Sequence, residues 1–187
     1  MSTDLQAVFV DRDGVLNRYL PGDYVKSSAE LEILPGISQA IARLNDAGLK
    51  VVIISNQQGV GKGIMTWADL QNIKQALDST IDTEAGAFID RHYYCTDLKD
   101  SGSDRRKPRP GMLYEAAADL GFDIEKTAFI GDSETDIAAA RAVGAAAAIL
   151  VLTGATSAES AADIWPSPDF VVPSLVEAVD LILEERR

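Results

Sequence analysis

The chain has 187 residues, 47% hydrophobic and 25% charged, which is long enough to bury one core and too apolar for a disordered polyelectrolyte. Its formal net charge of −12 excludes a nucleic-acid footprint, so an anionic substrate needs Lys and Arg concentrated locally against the general field. Cys95 is the only cysteine, which excludes an intrachain disulfide and is compatible with a reducing compartment.

Residues 1–6 carry neither a basic nor an apolar leader segment, and the longest apolar stretch, 145–152, is too short to span a bilayer. A cytoplasmic protein without membrane contact is expected. The apolar run Ala7-Val8-Phe9-Val10 reads as a buried first strand. Asp11 and Asp13 follow it two residues apart, and Gly14 lets the chain turn out of the sheet. A polar loop over 18–30 leads to a helix over 36–47, with Ile37, Ile41 and Leu44 at helical spacing and Gly48 closing it.

Val51-Val52-Ile53-Ile54 predicts the second strand, followed by Ser55 and Asn56. A longer helix is expected over 66–84, with Thr66 as N-cap and Asp69 three residues on. Residues 88–94 read as a third strand and 99–109 as a polar loop. Pro110 starts a helix that runs to Leu120 and stops at Gly121. Residues 127–130 predict a fourth strand, 133–143 a helix ended by Gly144, and 146–152 a fifth strand. Phe170-Val171-Val172 adds a short last strand before a helix from Ser174.

This alternation predicts an α/β fold: a three-layer, Rossmann-like parallel sheet of five to six strands with helices on both faces. No linker or repeat interrupts it, so residues 1–187 read as a single domain. Ligands of such sheets bind beyond the carboxyl ends of the strands. There the sequence gathers Asp11 and Asp13, Ser55 and Asn56, Arg106 and Lys107, and Asp132 and Asp136.

That set suits phosphoryl transfer, which needs an in-line nucleophile, charge neutralisation and donors around the equatorial oxygens. Asp11 is the candidate nucleophile, since a carboxylate forms an aspartyl-phosphate without prior deprotonation. Asp13 is the candidate proton donor to the leaving oxygen and later the base for water. Asp132 with Asp11 is the candidate Mg²⁺ site. Ser55 and Lys107 would stabilise the phosphoryl oxygens, and Asp136, one helical turn beyond Asp132, would support them from behind.

Asp11-Arg12-Asp13-Gly14-Val15-Leu16-Asn17, Ser55-Asn56-Gln57-Gln58-Gly59-Val60 and Arg106-Lys107-Pro108-Arg109-Pro110-Gly111-Met112, with Gly131-Asp132 and Asp136, resemble the haloacid dehalogenase superfamily of phosphohydrolases. Within it they resemble the D-glycero-D-manno-heptose 1,7-bisphosphate 7-phosphatase and histidinol-phosphatase branch. The resemblance implies the same catalytic roles for Asp11, Asp13, Ser55 and Lys107. It places Mg²⁺ on Asp11, the Asp13 carbonyl and Asp132. Substrate recognition then falls to Arg106, to Tyr19, Leu20, Pro21 and Gly22 near the sugar, and to Asn56, Gln57 and Gln58. The spacings leave no room for a large cap domain.

A small phosphorylated sugar, most directly the heptose bisphosphate losing its C7 phosphate, is the expected substrate; histidinol phosphate or another small phosphosugar is the alternative. A monomer is expected. Members of this branch often carry a zinc-stapled loop, but the matching positions here read Cys95, Asp97, Ser103 and Arg105, so no zinc is expected.

Three features carry a plainer reading. Gly59-Val60-Gly61-Lys62-Gly63 lacks the spacing and the Ser or Thr of a nucleotide P-loop. Its glycines are expected to bring the loop close to the substrate, and Lys62 is either solvated or in contact with a second phosphate. His92, the only histidine, reads as structural or exposed rather than catalytic, and Cys95 as a small residue at a strand end.

Overall fold

The computed structural model describes residues 4–185; Met1 to Thr3, within the segment read as lacking a leader, lie outside the described residues. Six parallel strands form one sheet. In chain order the elements are β1 (Ala7–Val10), α1 (Ile37–Asp46), β2 (Lys50–Asn56), the short α2 (Gln58–Gly61), α3 (Trp67–Ala85) and β3 (Arg91–Cys95). They continue with α4 (Gly111–Leu120), β4 (Thr127–Gly131), α5 (Glu134–Ala142), β5 (Ala147–Val151), β6 (Phe170–Val172) and α6 (Leu175–Glu184). The strand order is β3-β2-β1-β4-β5-β6.

Strand periodicity splits the core into two layers. Val8 and Val10 of β1, Val51 and Ile53 of β2 and Ile130 of β4 face α1, α3 and α6. Phe9, Val52, Ile54 and Phe129 face α4 and α5. The central strands are buried on both sides, which is why they read as continuous apolar runs. Thr66 and Asp69 form a reciprocal capping box at the start of α3.

Two expected boundaries move. The second strand runs on through Ser55 and Asn56, which pair with Tyr94 and Cys95 of β3. The third strand starts at Arg91 rather than at residue 88, because side chains take backbone groups of Phe88 and of the facing β2 residue Val51. Asn45 bonds both the N–H and the carbonyl of Phe88, and the Asp90 carboxylate accepts from the Val51 N–H.

Between β1 and α1 the chain makes only a 3-10 turn, Ser28–Glu30, and two isolated bridges through Asn17. The segment between β3 and α4 contains no helix or strand. No large cap covers the carboxyl end of the sheet among the described residues. None of their helices is long and apolar enough to cross a membrane.

Ile41 of α1 is fully buried in the core that α1, α3 and α6 form on one face of the sheet. Ile41→Ala is expected to cost about 2–5 kcal/mol of unfolding free energy. Urea midpoints measure it, and kcat at low temperature should stay unchanged because Ile41 belongs to the core and does not line the site cavity.

Candidate active site

The strand order reverses on either side of β1 and β4, and the site lies at that switch point. Val10 is level with Ile130, so Asp11 and Asp132 leave neighbouring strands almost together. Carboxylate oxygens of Asp11, Asp132 and Asp136 lie within 4.8 Å of one another.

One cation holds this acidic group together. Lys107 is almost completely buried, with Nζ 3.1 Å from Asp11 Oδ2 and 2.5 Å from Asp136 Oδ1. Nζ also donates to the carbonyl of Ile54 at 2.7 Å and stands over the Phe129 ring. The other Asp11 oxygen accepts from the Arg12 N–H at 2.7 Å. Asp136 turns its second oxygen back to the Ser133 N–H and hydroxyl, capping α5. Asn56 bonds both backbone groups of Lys107 and so fixes the loop that delivers the lysine.

Asp132 sits in a cradle of backbone. Its Oδ2 accepts from the Ala155 N–H at 2.7 Å. A Cβ on Gly14 or Gly154 would fall 2.2 Å or 1.9 Å from that oxygen, and Gly14 holds φ at +84°, so side chains are barred from both positions. Burial, then the charges of Asp136 and Asp11, push the Asp132 carboxyl up to about 8. Asp11 rises to about 6: burial raises it, Lys107 opposes, Asp136 adds to the rise, and a hydrogen bond from Ser55 pulls it back.

This is the signature of a cation site. Two carboxylates on one side of the cluster share too little positive charge, their donors are hard oxygens, and the site cavity opens beside them. The oxygens of Asp11 and Asp132 fit a hard divalent cation such as Mg²⁺. Asp136 is committed to Lys107 and Ser133, behind the candidate ligands.

Asp13 is set differently. Burial raises its carboxyl, but the Arg12 charge and hydrogen bonds from Asn17, Gln57 and Arg12 outweigh burial and hold it below the usual range. Asn17 Nδ2 donates to Oδ1 at 2.9 Å, Gln57 Nε2 to Oδ2 at 2.7 Å, and Arg12 Nη2 to both oxygens at 3.0 and 2.9 Å.

A cavity of about 460 Å³ opens over these groups. Of the residues expected to meet substrate, Tyr19, Leu20, Gly22, Asn56, Gln58 and Arg106 line it, together with Asp11, Asp13, Ser55 and Asp132. Gln57 is a correction: its side chain is fully buried and spent on Asp13, Ser55 and Arg12, so it positions Asp13 and does not face substrate. Pro21 is not part of the lining. The glycines after β2 are a second correction. Gly61 packs against the Thr96 carbonyl and Gly59 against Tyr24 and Met65, so protein contacts rather than substrate require them small.

Tyr24, Lys62 and Thr135 also line the cavity, and Lys62 Nζ lies 3.1 Å from the Tyr24 hydroxyl. Tyr24 lies in the polar loop just beyond the residues expected near the sugar, where no period marks an inward residue. The Gly154–Ala155 backbone around Asp132 had no sequence signal at all.

Cys95, Asp97, Ser103 and Arg105 come together as a hydrogen-bonded staple. Cys95 Sγ lies 3.6 Å from Asp97 Oδ2 and 3.9 Å from Ser103 Oγ, while Arg105 reaches the Tyr94 carbonyl and Glu115. One thiol with a carboxylate, a hydroxyl and a guanidinium does not fit a structural zinc ion. Arg106 donates to the Asp97 carbonyl at 3.2 Å, so the same loop carries a cavity residue. His92 is buried, as the structural reading expects.

The HAD-hydrolase-like family matches residues 104–178. The D-glycero-D-manno-heptose-1,7-bisphosphate 7-phosphatase of Thermosynechococcus vestitus is 35% identical over 94% of this chain and 94% of its own. The D-glycero-beta-D-manno-heptose-1,7-bisphosphate 7-phosphatase of Haemophilus ducreyi is 32% identical over 95% and 98%. Among solved structures, D,D-heptose 1,7-bisphosphate phosphatase from B. bronchiseptica, complexed with magnesium and phosphate, superposes with a TM-score of 0.88 at 32% identity, covering 97% of this chain and 99% of that one.

Because the metal-free carboxyls sit at about 6 and 8, protons compete with Mg²⁺ for them. The stability these raised groups lend the metal-free fold is full below the unfolded carboxylate value near 4 and is lost as pH climbs through about 6 and 8. The gain in Tm from saturating Mg²⁺ is therefore expected to be larger at about pH 8.5 than at about pH 5.5. Thermal scans with Mg²⁺ and with EDTA measure it; an equal gain at both pH values contradicts the assignment.

Proposed function

The chain belongs to the heptose-1,7-bisphosphate 7-phosphatase family of HAD-like phosphatases, and on that premise we propose that it hydrolyses the C7 phosphate of D-glycero-D-manno-heptose 1,7-bisphosphate with Mg²⁺. The observation that carries the reading is the pairing of Asp11 with buried Lys107 beneath a cavity that also holds Lys62 and Arg106. The acids at the base suit one phosphoryl group with its cation, and the two basic side chains at the rim suit a second anionic group on the same molecule.

Asp11 attacks phosphorus, and the bond from phosphorus to the sugar oxygen breaks as the aspartyl-phosphate forms. Lys107 keeps Asp11 ionised inside a buried site and fixes its direction, so little reorganisation accompanies the attack. Ser55 donates its hydroxyl to Asp11 and accepts from Gln57 in the free site, and turns that O–H to the transferring oxygens when substrate binds. Asp11, Asp132 and the Asp13 carbonyl would hold Mg²⁺, which would neutralise phosphoryl charge that otherwise repels Asp11.

Asp13 is ionised in the free site. The incoming dianion raises its carboxyl, so it binds a proton and delivers it to the leaving sugar oxygen. The same carboxylate then takes a proton from the water that attacks phosphorus, releasing inorganic phosphate and restoring Asp11.

The described residues of one chain supply the whole site, which supports a monomer built as a single catalytic domain. With a net charge of −12 and one unpaired cysteine, it suits the cytoplasm.

Phosphate release from both anomers of the heptose bisphosphate, in Mg²⁺ and in EDTA, tests the reading. Strong preference for one bisphosphate anomer over histidinol phosphate, lost in EDTA, is expected. Asp11→Asn should lower kcat by about 10⁴-fold or more with the fold intact by circular dichroism. A near-normal rate in that variant contradicts the nucleophile, and equal rates on all monoesters contradict the substrate.

A further inference from the structure

Behind Asp13 a line of polar side chains runs through the protein to the surface of α3. Asp78 of α3 accepts from His92 Nε2 at 2.8 Å, and Lys74 holds the other Asp78 oxygen at 2.7 Å. His92 Nδ1 meets the Tyr94 hydroxyl at 3.0 Å. His92 and Tyr94 stand two apart on β3, so they share one face of the sheet, and Tyr94 pairs in register with Ser55. The Tyr94 hydroxyl is in turn next to the Arg12 guanidinium.

The protons of this line have one consistent arrangement. A carboxylate accepts only, so His92 carries its proton on Nε2. Burial, the largest influence, lowers the imidazole and keeps it neutral despite Asp78. Nδ1 is then a bare acceptor, and Tyr94 must donate to it. That leaves the Tyr94 oxygen with its lone pairs toward Arg12.

Arg12 is fully buried and needs such a neighbour. Its Nε and Nη2 bond Asp13, and Nη2 also bonds Gln57. Nη1 is a buried N–H group with no hydrogen-bond partner in ideal geometry among the described residues. The oriented phenol oxygen is the electron-rich group that offsets its lost hydration.

We propose that His92 and Tyr94 are positioning residues for the reaction: through Arg12 they set the place and direction of the Asp13 carboxylate. They touch neither substrate nor reacting atoms. The line gives the only histidine of the chain a role that needs its two ring nitrogens, one donating and one accepting. The inference rests on Asp13 acting as the proton donor to the leaving oxygen.

A leaving-group comparison tests it, using the full chain in saturating Mg²⁺. The substrates are the sugar phosphate, whose alkoxide needs a proton to leave, and p-nitrophenyl phosphate, whose phenolate does not. Tyr94→Phe keeps the ring and removes only the hydroxyl. It is expected to lower kcat/KM on the sugar phosphate about tenfold, a fraction of the full effect of a general acid. On the aryl phosphate the loss should stay within about twofold.

His92→Leu should behave like Tyr94→Phe. His92→Gln should recover most of the loss, because its amide offers one donor and one acceptor in place of Nε2–H and Nδ1. Equal losses on both substrates, or a lower Tm with unchanged kcat/KM, overturn the inference and leave a merely structural line. Asp13→Asn separates the two levels. If it too shows no leaving-group dependence, the proton-donor role of Asp13 falls and this inference with it; if it shows the dependence and the β3 variants do not, only the inference falls.

Discussion

Everything at the carboxyl end of this sheet depends on the burial of one ammonium group between two carboxylates. Lys107 Nζ, 3.1 Å from Asp11 and 2.5 Å from Asp136, is almost wholly removed from water. Burial alone would neutralise it, but the two acids outweigh that and hold its pKa up. Taking one partner away would leave an unpaired charge in the interior, which is costlier than the pair is stabilising. The positions of β1, β4 and the loop before α4 are thereby tied to one another. The tie also divides the labour of the acids: Asp136 is spent on the lysine and on capping α5, while Asp11 and Asp132 keep oxygens for a cation.

Asp11 and Asp13, two residues apart, have carboxyls shifted in opposite directions for reasons visible in their surroundings. Burial, with Asp136 adding to it, pushes Asp11 up to about 6 despite Lys107. Asp13 faces Arg12, Asn17 and Gln57 and is held down. A nucleophile near acids that a bound cation would neutralise and a proton carrier tuned by a dianionic substrate are complementary settings. The same contrast explains why the segment around Asp13 is so rich in buried polar groups. A carboxylate whose direction matters is fixed by several donors, and those donors need their own partners further inside.

Much of this was legible from the residues alone. The apolar runs gave the strands, since both faces of a parallel sheet are buried, and the capping residues Thr66 and Ser174 marked two helix starts within a residue. The candidate site was legible because its acids, Ser55 and Lys107 sit at strand ends, where short spacing fixes direction. What escaped the sequence was direction in the loops. Gln57 sits beside the expected contact residues Asn56 and Gln58, yet the turn into α2 points it into the core. Tyr24 and the Gly154–Ala155 backbone reach the site from segments with no period. The start of β3 slipped because Asn45, distant in sequence, satisfies the backbone of Phe88.

The central claim is that Asp11 bonds covalently to phosphorus while Asp13 moves only protons. Rapid mixing of the full chain with substrate and Mg²⁺, followed by borohydride reduction and peptide mass spectrometry, tests it most directly, because an acyl-phosphate is reduced where a free carboxylate is not. The account predicts substrate-dependent conversion of Asp11 to homoserine with Asp13 unchanged. Conversion of any other carboxylate, or full turnover with no conversion at Asp11, would contradict it.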